Sequence, residues 1–340
     1  MDWLAGVRKT LARLHLSADA PSAEDLGDLL PWALDQVDPR LRLASGYPKA
    51  YLASLGKALA YCHALADRVP EPVAVNRAAF ARDAVVHALF GSADSIIQSL
   101  VSSQAVRDWS RAHPEATEAY ALLGVRLQTR NIMGMTLRND TLQREVSQQV
   151  VYFTDHTFSG LADSEAAARE LLLRRFMESL LGRVQERVQA LQDRRHELEQ
   201  ARDEAQARLR QHPEDPQARQ ALERILVELG DSIARAELAA YPAHFAAVMD
   251  QAETYLQLQP RSLLVDALGV CQEADSPQAG APDLGASHLG ASQLGAYPIQ
   301  LHEMQGRDRR KWHVALVRCD LAEVPSYPDR LQQAGRWLAI

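Results

Sequence analysis

The feature that most constrains the fold is a long segment, residues 165–211, that contains no proline and only one glycine, Gly182. Ser164 is suited to cap the N-terminus of a helix, and Glu165 would then place a negative charge in the positive first turn. Apolar residues recur in steps of three and four at Leu173, Met177, Leu180, Val184, Val188 and Leu191, and again seven residues later at Leu198. This spacing is typical of a coiled-coil seam, so the segment is predicted to be one long helix.

A second helical arm is predicted directly after a short break. Two prolines within residues 212–216 each remove a backbone donor and must interrupt the helix. The second arm, 217–258, repeats the apolar period and should kink at Pro242. Because the two arms are nearly equal in length and the connection is short, the pattern predicts an antiparallel helical hairpin over 161–259 with its tip at 212–216.

Residues 1–160 are predicted to form a helical domain. Amphipathic helical patterns cover residues 2–16, 22–37, 48–67, 75–90, 93–110 and 114–128. Near 131–154 the signal changes. The β-branched and aromatic run 150–154 favours a strand, whereas apolar residues spaced four apart before it favour a helix, so both a short helix and a twisted hairpin stay open. Residues 154–160 are predicted to form a loop.

After Pro260 the apolar period changes to two, which is typical of strands. Candidate strands cover 262–270, 299–304 and 312–319, and a short helix is expected at 328–339. Between the first two strands a five-residue repeat begins at Gly280, Gly285 and Gly290. We interpret residues 277–297 as a flexible repeat loop, with a short ladder of strands as the alternative.

The expected fold class is therefore mainly α, in three parts. An N-terminal helical domain (1–160) is followed by the long antiparallel coiled-coil hairpin (161–259) and by a small C-terminal β-rich unit (260–340).

Composition limits the partners. The net charge of −7 argues against nucleic-acid binding by the whole surface, although a local basic patch remains compatible with it. Three widely spaced cysteines, Cys62, Cys271 and Cys319, argue against a disulfide framework and a thiolate zinc site, so no metal is expected. With no apolar run long enough to cross a bilayer, the sequence favours a cytoplasmic protein.

The candidate binding residues are Arg307, Arg309, Arg310 and Lys311, in the loop 306–311 between the last two strands. Arginine forks suit phosphate groups, so this loop would bind a partner of that chemistry. The competing interpretation is a solvated hairpin tip, because such tips are commonly charged.

Two further pairs invite a chemical role. Asp155 and His156 follow a strand-like run and could act as a base or a metal ligand, but neighbours on an extended chain point to opposite faces. Cys62 and His63 lie in a predicted helix, where adjacent residues diverge by about 100°. A structural role is the favoured interpretation of both pairs.

No phosphate-binding, dinucleotide-binding, zinc-protease or serine-hydrolase motif is present. The sequence therefore favours a non-enzymatic interaction or scaffold protein without a cofactor, in which the helical hairpin binds a protein partner or a second copy. The alternatives are a nucleic-acid-associated protein that uses loop 306–311, and an enzyme with an unrecognised site near Asp155 and His156.

Overall fold

The computed structural model describes residues 22–138, 141–266, 270–271, 296–306 and 311–324. The predicted helices at 2–16 and 328–339, the three arginines of loop 306–311, and residues 277–295 of the repeat loop lie outside the described residues. The chain divides into two compact units, each built from separate segments. The first contains residues 1–66, 173–256 and 306–308, and the second contains 67–172, 257–305 and 309–340.

The first unit is helical. Helix α1 spans Ala23–Asp35 and begins with a capping box, in which Ser22 and Asp25 bond each other's backbone N–H groups. A 3₁₀ turn, Pro39–Leu43, leads to helix α2, Lys49–Asp67. Tyr51 is fully buried in this unit, and its ring meets Phe245 edge-on with the centroids 5.3 Å apart. These aromatic side chains form part of the core that anchors the helical hairpin.

The first arm of the hairpin has the predicted bounds. Helix α7, Glu165–Gln211, runs unbroken for 47 residues. Helix α8, Pro216–Ala236, follows after a turn, and the Asp215 side chain caps it by accepting from two backbone N–H groups. The arms fold back on one another, since Arg194 Nη2 on α7 lies 2.8 Å from Glu228 Oε2 on α8. The prediction of an antiparallel helical hairpin is confirmed for these two helices.

The predicted second arm is wrong beyond residue 236. Instead of one kinked helix to residue 258, the chain forms a 3₁₀ turn, Leu238–Ala240, and two short helices, α9 (Tyr241–Met249) and α10 (Ala252–Tyr255). Pro242 stands in the first turn of α9, where its missing N–H costs nothing. The apolar period continues because Phe245, Val248 and Met249 are buried in the unit core, not because the helix continues.

The second unit contains a mostly antiparallel sheet. In the described residues its strands are β1 Val73–Val75, β2 Glu118–Arg138, β3 Thr141–Ala162, β4 Gln257–Asp266, β5 Val270–Cys271, β6 Ala296–Gln305 and β7 Lys311–Asp320. Their order is β1-β7-β2-β3-β5-β4-β6, and β6 also pairs with β7, so the six strands β2 to β7 close into a ring. Strand β1 pairs in parallel with the second half of β7.

Four short helices of this unit pack on the sheet: α3 Arg77–Arg82, α4 Ala84–Leu89, α5 Ala93–Ser102 and α6 Gln104–Ala112. These helices share one core with inward-facing residues of the strands, including Leu123 on β2, Phe153 on β3 and Val317 on β7. Val86, Leu100 and other apolar helix residues fill the same core. The inward face of the sheet is thereby covered.

The expected fold class, mainly α with a small C-terminal β-rich unit, is wrong: the protein is α+β. The two longest strands, β2 and β3, lie within the segment predicted as a helical domain, and β2 replaces the helix expected at 114–128. Alanine and leucine in that segment favour a helix locally, but Ala119, Ala121 and Leu123 alternate toward the core, where pairing with β3 and β7 decides the conformation.

Of the two alternatives for residues 131–154, the structure has the hairpin. Strands β2 and β3 pair in antiparallel register from Tyr120 with Ala162 to Arg138 with Thr141. The loop expected at 154–160 is wrong, because these residues belong to β3. The polar character that suggested a loop marks irregular backbone instead: Asp155 and Gly160 have φ angles of 56° and 63°, and the register shifts nearby.

Candidate binding surface

The Arg-rich loop leads into strand β7, which begins at Lys311. Lys311 is the one predicted binding residue among those described, and its Nζ lies 2.8 Å from Glu303 Oε1 on β6. This contact lowers the pKa of Glu303. Arg307, Arg309 and Arg310 lie outside the described residues, so the structure places only the last cation of the predicted set.

A buried histidine that the sequence did not reveal lies beside this ion pair. His313 on β7 pairs with Glu303 on β6 and with Val125 on β2, and 4% of its surface is exposed. Its ring meets Phe153 edge-on at 6.2 Å. The sequence did contain one indication of this pair: Glu303 follows Ile299 and Leu301 at every second position, so strand alternation places its carboxylate on the inward face.

Neither ring nitrogen of His313 has a hydrogen-bond partner among the described residues. Its Nε2 is 4.0 Å from Glu303 Oε2, which is beyond hydrogen-bond distance. Burial lowers the pKa of His313; the Glu303 carboxylate opposes this shift, while Arg261 and Lys311 add to it. The polar pair therefore occupies the inward face at one end of an otherwise apolar sheet.

The structure separates Asp155 from His156. The Asp155 carboxylate lies 3.3 Å from Arg126 Nη1 on β2, at the sheet surface. His156 Nε2 lies 2.7 Å from the Leu89 carbonyl oxygen, and its ring stacks on Phe90 with the centroids 4.7 Å apart. The two side chains therefore contact different elements, as the divergence of neighbouring residues on a strand predicts.

Cys62 is fully buried within helix α2, and burial raises the pKa of its thiol far above the ordinary value. Burial likewise raises the pKa of Cys319, on β7, to about 12. A thiol held in its neutral form is a poor nucleophile and a poor metal ligand. Both residues behave as small apolar side chains of the two cores.

A polar and aromatic surface lies on the outward side of β7, β2 and β3. It consists of Gln128, Arg130 and Tyr152, which are exposed, and of Arg126 and Trp312, which are partly buried, and we call it the aromatic–arginine face. The Arg126 guanidinium lies over the Trp312 ring, 5.7 Å from its centroid. Tyr152 pairs with Gln128 across the strands and is 45% exposed.

Glycine shapes this face at one position. A Cβ added to Gly124 would lie 3.6 Å from Trp312 Cε3, so the indole rests directly on the backbone of β2. The sequence could not reveal the face, because its members come from strands that are distant along the chain. Only the register of β7 with β2 and of β2 with β3 brings them together.

A second exposed surface lies on helix α8. Its inward residues Ala218, Leu229 and Ser232 are buried, whereas Leu226 and Val227 are 46% and 68% exposed. The position of a Cβ on Gly230, one turn further, has no atom within 4 Å. Leu226, Val227 and Gly230 therefore form an exposed apolar surface on this helix, which we call the stripe.

We found no family model, curated protein or solved structure that matches this chain. Within the described residues, no group of three or more His, Cys, Asp or Glu side chains is arranged to hold a metal ion. Among the helices described, none combines the length and the apolar character that a membrane crossing requires.

Proposed function

We propose that the protein is a non-enzymatic interaction protein that self-associates through the outer face of helix α8. The observation that carries the proposal is the exposure of Leu226 and Val227, which are adjacent on a helix whose other side already packs against α7. Leu226 and Gly230 are four residues apart and share one face of the helix, and Val227 borders that face. An apolar helix face that the described residues of its own unit leave uncovered is the usual surface for a second helix.

The stripe is self-complementary about a two-fold axis at the level of Glu228. In an antiparallel pair centred there, Leu226 of one copy lies opposite Gly230 of the other, so a large side chain meets an open position. Arg219 then lies opposite Glu237, which joins opposite charges at both ends of the contact. Glu228 itself points away from the stripe, toward Arg194 on α7.

A second copy is therefore the occupant we favour over an unrelated helix. A symmetric interface uses the same patch on both subunits and must match itself, and this stripe does so in size and in charge. Two hairpins joined in this way would form four antiparallel helices around a new apolar seam. In this arrangement the protein would hold two copies of each unit together.

The first test is the molecular mass in solution, measured by sedimentation equilibrium over a range of concentrations. The wild-type chain should form a dimer, and Leu226→Asp should shift it to the monomer. Leu43→Asp provides a matched control, because Leu43 is 75% exposed but lies outside the stripe. A monomeric wild-type chain at high concentration would contradict self-association and would leave the stripe to a different protein.

Single-cysteine variants then test the orientation. A mixture of Leu226→Cys and Gly230→Cys chains should crosslink more efficiently on oxidation than either variant alone, because the antiparallel pair brings unlike positions together. Preferential crosslinking within each variant alone would indicate a parallel pair and would overturn the two-fold arrangement.

A further inference from the structure

The aromatic–arginine face combines flat rings with positive charge on an open part of the sheet. Tyr152 and Trp312 lie on β3 and β7, on either side of β2, so their strands are about 10 Å apart. Gln128 and Arg130, on β2, are exposed between and beyond them. The face therefore offers the exposed ring of Tyr152 and the partly buried ring of Trp312, over which Arg126 lies, together with the hydrogen-bonding groups of Gln128 and Arg130.

The charge on this face is positive but modest. Asp155 pairs with Arg126 at 3.3 Å, whereas no ion pair to Arg130 is formed by the described residues. Lys311 precedes Trp312 on β7, but its ammonium group pairs with Glu303 on the inward face, so it does not add to the charge of this face. The described cations of the face are therefore Arg126 and Arg130.

We propose that this face binds single-stranded nucleic acid, which goes beyond self-association and rests on different residues. Exposed aromatic rings on a sheet stack with unpaired bases, and arginine groups beside them contact the phosphates. A duplex hides the faces of its bases and would use only the cations. An acidic peptide would bind the guanidinium groups but would leave Tyr152 without a stacking partner.

Asp155 fits this assignment. A carboxylate would repel phosphate, but it can accept a hydrogen bond from the exocyclic amine of cytosine or adenine. With Arg126 and Arg130 as the principal phosphate contacts, the logarithm of affinity should fall with the logarithm of salt concentration with a slope of about −1.4. Binding would therefore depend on stacking more than on charge.

The test is the fluorescence anisotropy of labelled oligocytidine and oligothymidine, as DNA and RNA, with the full-length protein at low salt. Tyr152→Ala should weaken binding about tenfold, because base stacking is the main contact that it removes. Tyr152→Phe keeps the ring and should bind like the wild type. Arg130→Ala should weaken binding more than Arg208→Ala, which makes the same charge change on helix α7.

Tryptophan emission gives a second readout. Arg126 must leave the Trp312 ring to contact a phosphate, so binding should change the fluorescence of Trp312. Trp312→Phe should lose that change while retaining most of the affinity. Absence of oligonucleotide binding at low salt, equal binding by Tyr152→Ala and the wild type, or equal competition by duplex DNA would each overturn the proposal. Binding of soluble oligosaccharides without oligonucleotides would assign the face to carbohydrate and would overturn it as well.

Discussion

The protein has two long hairpins, one of helices (α7 and α8) and one of strands (β2 and β3). The helices form their backbone hydrogen bonds within each arm, whereas the strands form them between the arms. In the helical hairpin, α7 has a densely buried inner part, including Leu173, Leu180 and Val184, whereas Leu198 is the one buried residue described between 189 and 211. In the strand hairpin, β2 lies between β3 and β7 as far as Val125, and beyond that residue only β3 pairs with it among the described strands.

This difference determines what each outer part can do. A helix satisfies its backbone within itself, so the outer half of α7 needs only a thin apolar seam against α8. The strand hairpin becomes a two-stranded ribbon only beyond Gln149, where β3 no longer pairs with β5 among the described residues. Such a ribbon has unpaired backbone groups along both edges and is marginally stable alone. The helical hairpin therefore presents side chains to partners, whereas the strand hairpin presents both side chains and backbone edges.

The largest effect is expected in the inner part of α7. Leu180 is fully buried, and Leu180→Ala should lower the free energy of unfolding by about 3 kcal/mol, because it removes apolar contacts and leaves a cavity. Urea denaturation followed by circular dichroism measures this loss. A loss below about 1 kcal/mol would mean that the inner part is packed no better than the outer part.

Leu198→Asp should have a more local effect. Leu198 is 5% exposed, and a charge at this position should open the outer hairpin while the inner part of α7 stays folded. Hydrogen exchange followed by mass spectrometry should show at least tenfold faster exchange over residues 190–235 only. The neighbouring variant Glu199→Ala should leave these rates unchanged, and faster exchange throughout the first unit would show that the hairpin unfolds as one piece.

Low pH should destabilise the strand hairpin more than the helical hairpin. The reason is His313, which is buried in the core of the sheet beside Val125, the last residue of β2 that pairs with β7. Because burial lowers the pKa of the folded state below the value of 6.5 for an ordinary histidine, the unfolded chain takes up a proton first as the pH falls. Stability is therefore retained above pH 6.5 and lost below it, with a slope of at most about 1.4 kcal/mol per pH unit from this residue.

The measurement is urea denaturation between about pH 5 and 7, a window above the range in which Glu303 titrates, because the Lys311 contact lowers the pKa of that carboxyl. His313→Phe should reduce the slope, and the part that is left should come in part from His302, because burial lowers the pKa of that residue too. His196→Phe, at an exposed position on α7, should keep the wild-type profile. An unchanged slope in the His313 variant would show that the pH dependence arises elsewhere.

The smallest effect is expected for the ion pair between the two helical arms. Arg194 and Glu228 are more than half exposed, so Arg194→Ala should cost about 0.5 kcal/mol or less, and salt should reduce that cost further. Thermal denaturation at low and high salt measures the difference. A cost above about 1 kcal/mol would mean that charge, rather than the Leu198 seam, holds the outer hairpin together.

The sequence predicted the helical hairpin far better than the sheet for a physical reason. The period that identifies α7 repeats over 47 residues, so the signal accumulates along one element. In β2 the inward residues Ala119, Ala121 and Leu123 favour helix locally, and their alternation covers only a few positions. Strand pairing with distant parts of the chain, which one sequence does not reveal, decides the outcome.

The candidate surfaces show the same limit. Lys311 was predicted because neighbouring cations are visible in the sequence, but Tyr152 and Trp312 meet only through the sheet register. Likewise, the sequence shows that Leu226 and Val227 are apolar, but their exposure follows from the packing of α7 on the other side of α8. Local patterns indicate which residues are apolar or charged, whereas exposure depends on which element packs beside them.

The pairing of β7 also has a consequence for synthesis of the protein. This strand joins β1, β2 and β6, and Val73 pairs with Val317, 244 residues later in the sequence. Residues 73–320 must therefore all be synthesised before the sheet can close. Until then β2 and β3 have no β7 to pair with, and unpaired strand edges of this kind are where nascent chains associate with one another or are bound by chaperones. The synthesis of β7 thus determines when the edge of β2 is protected from aggregation.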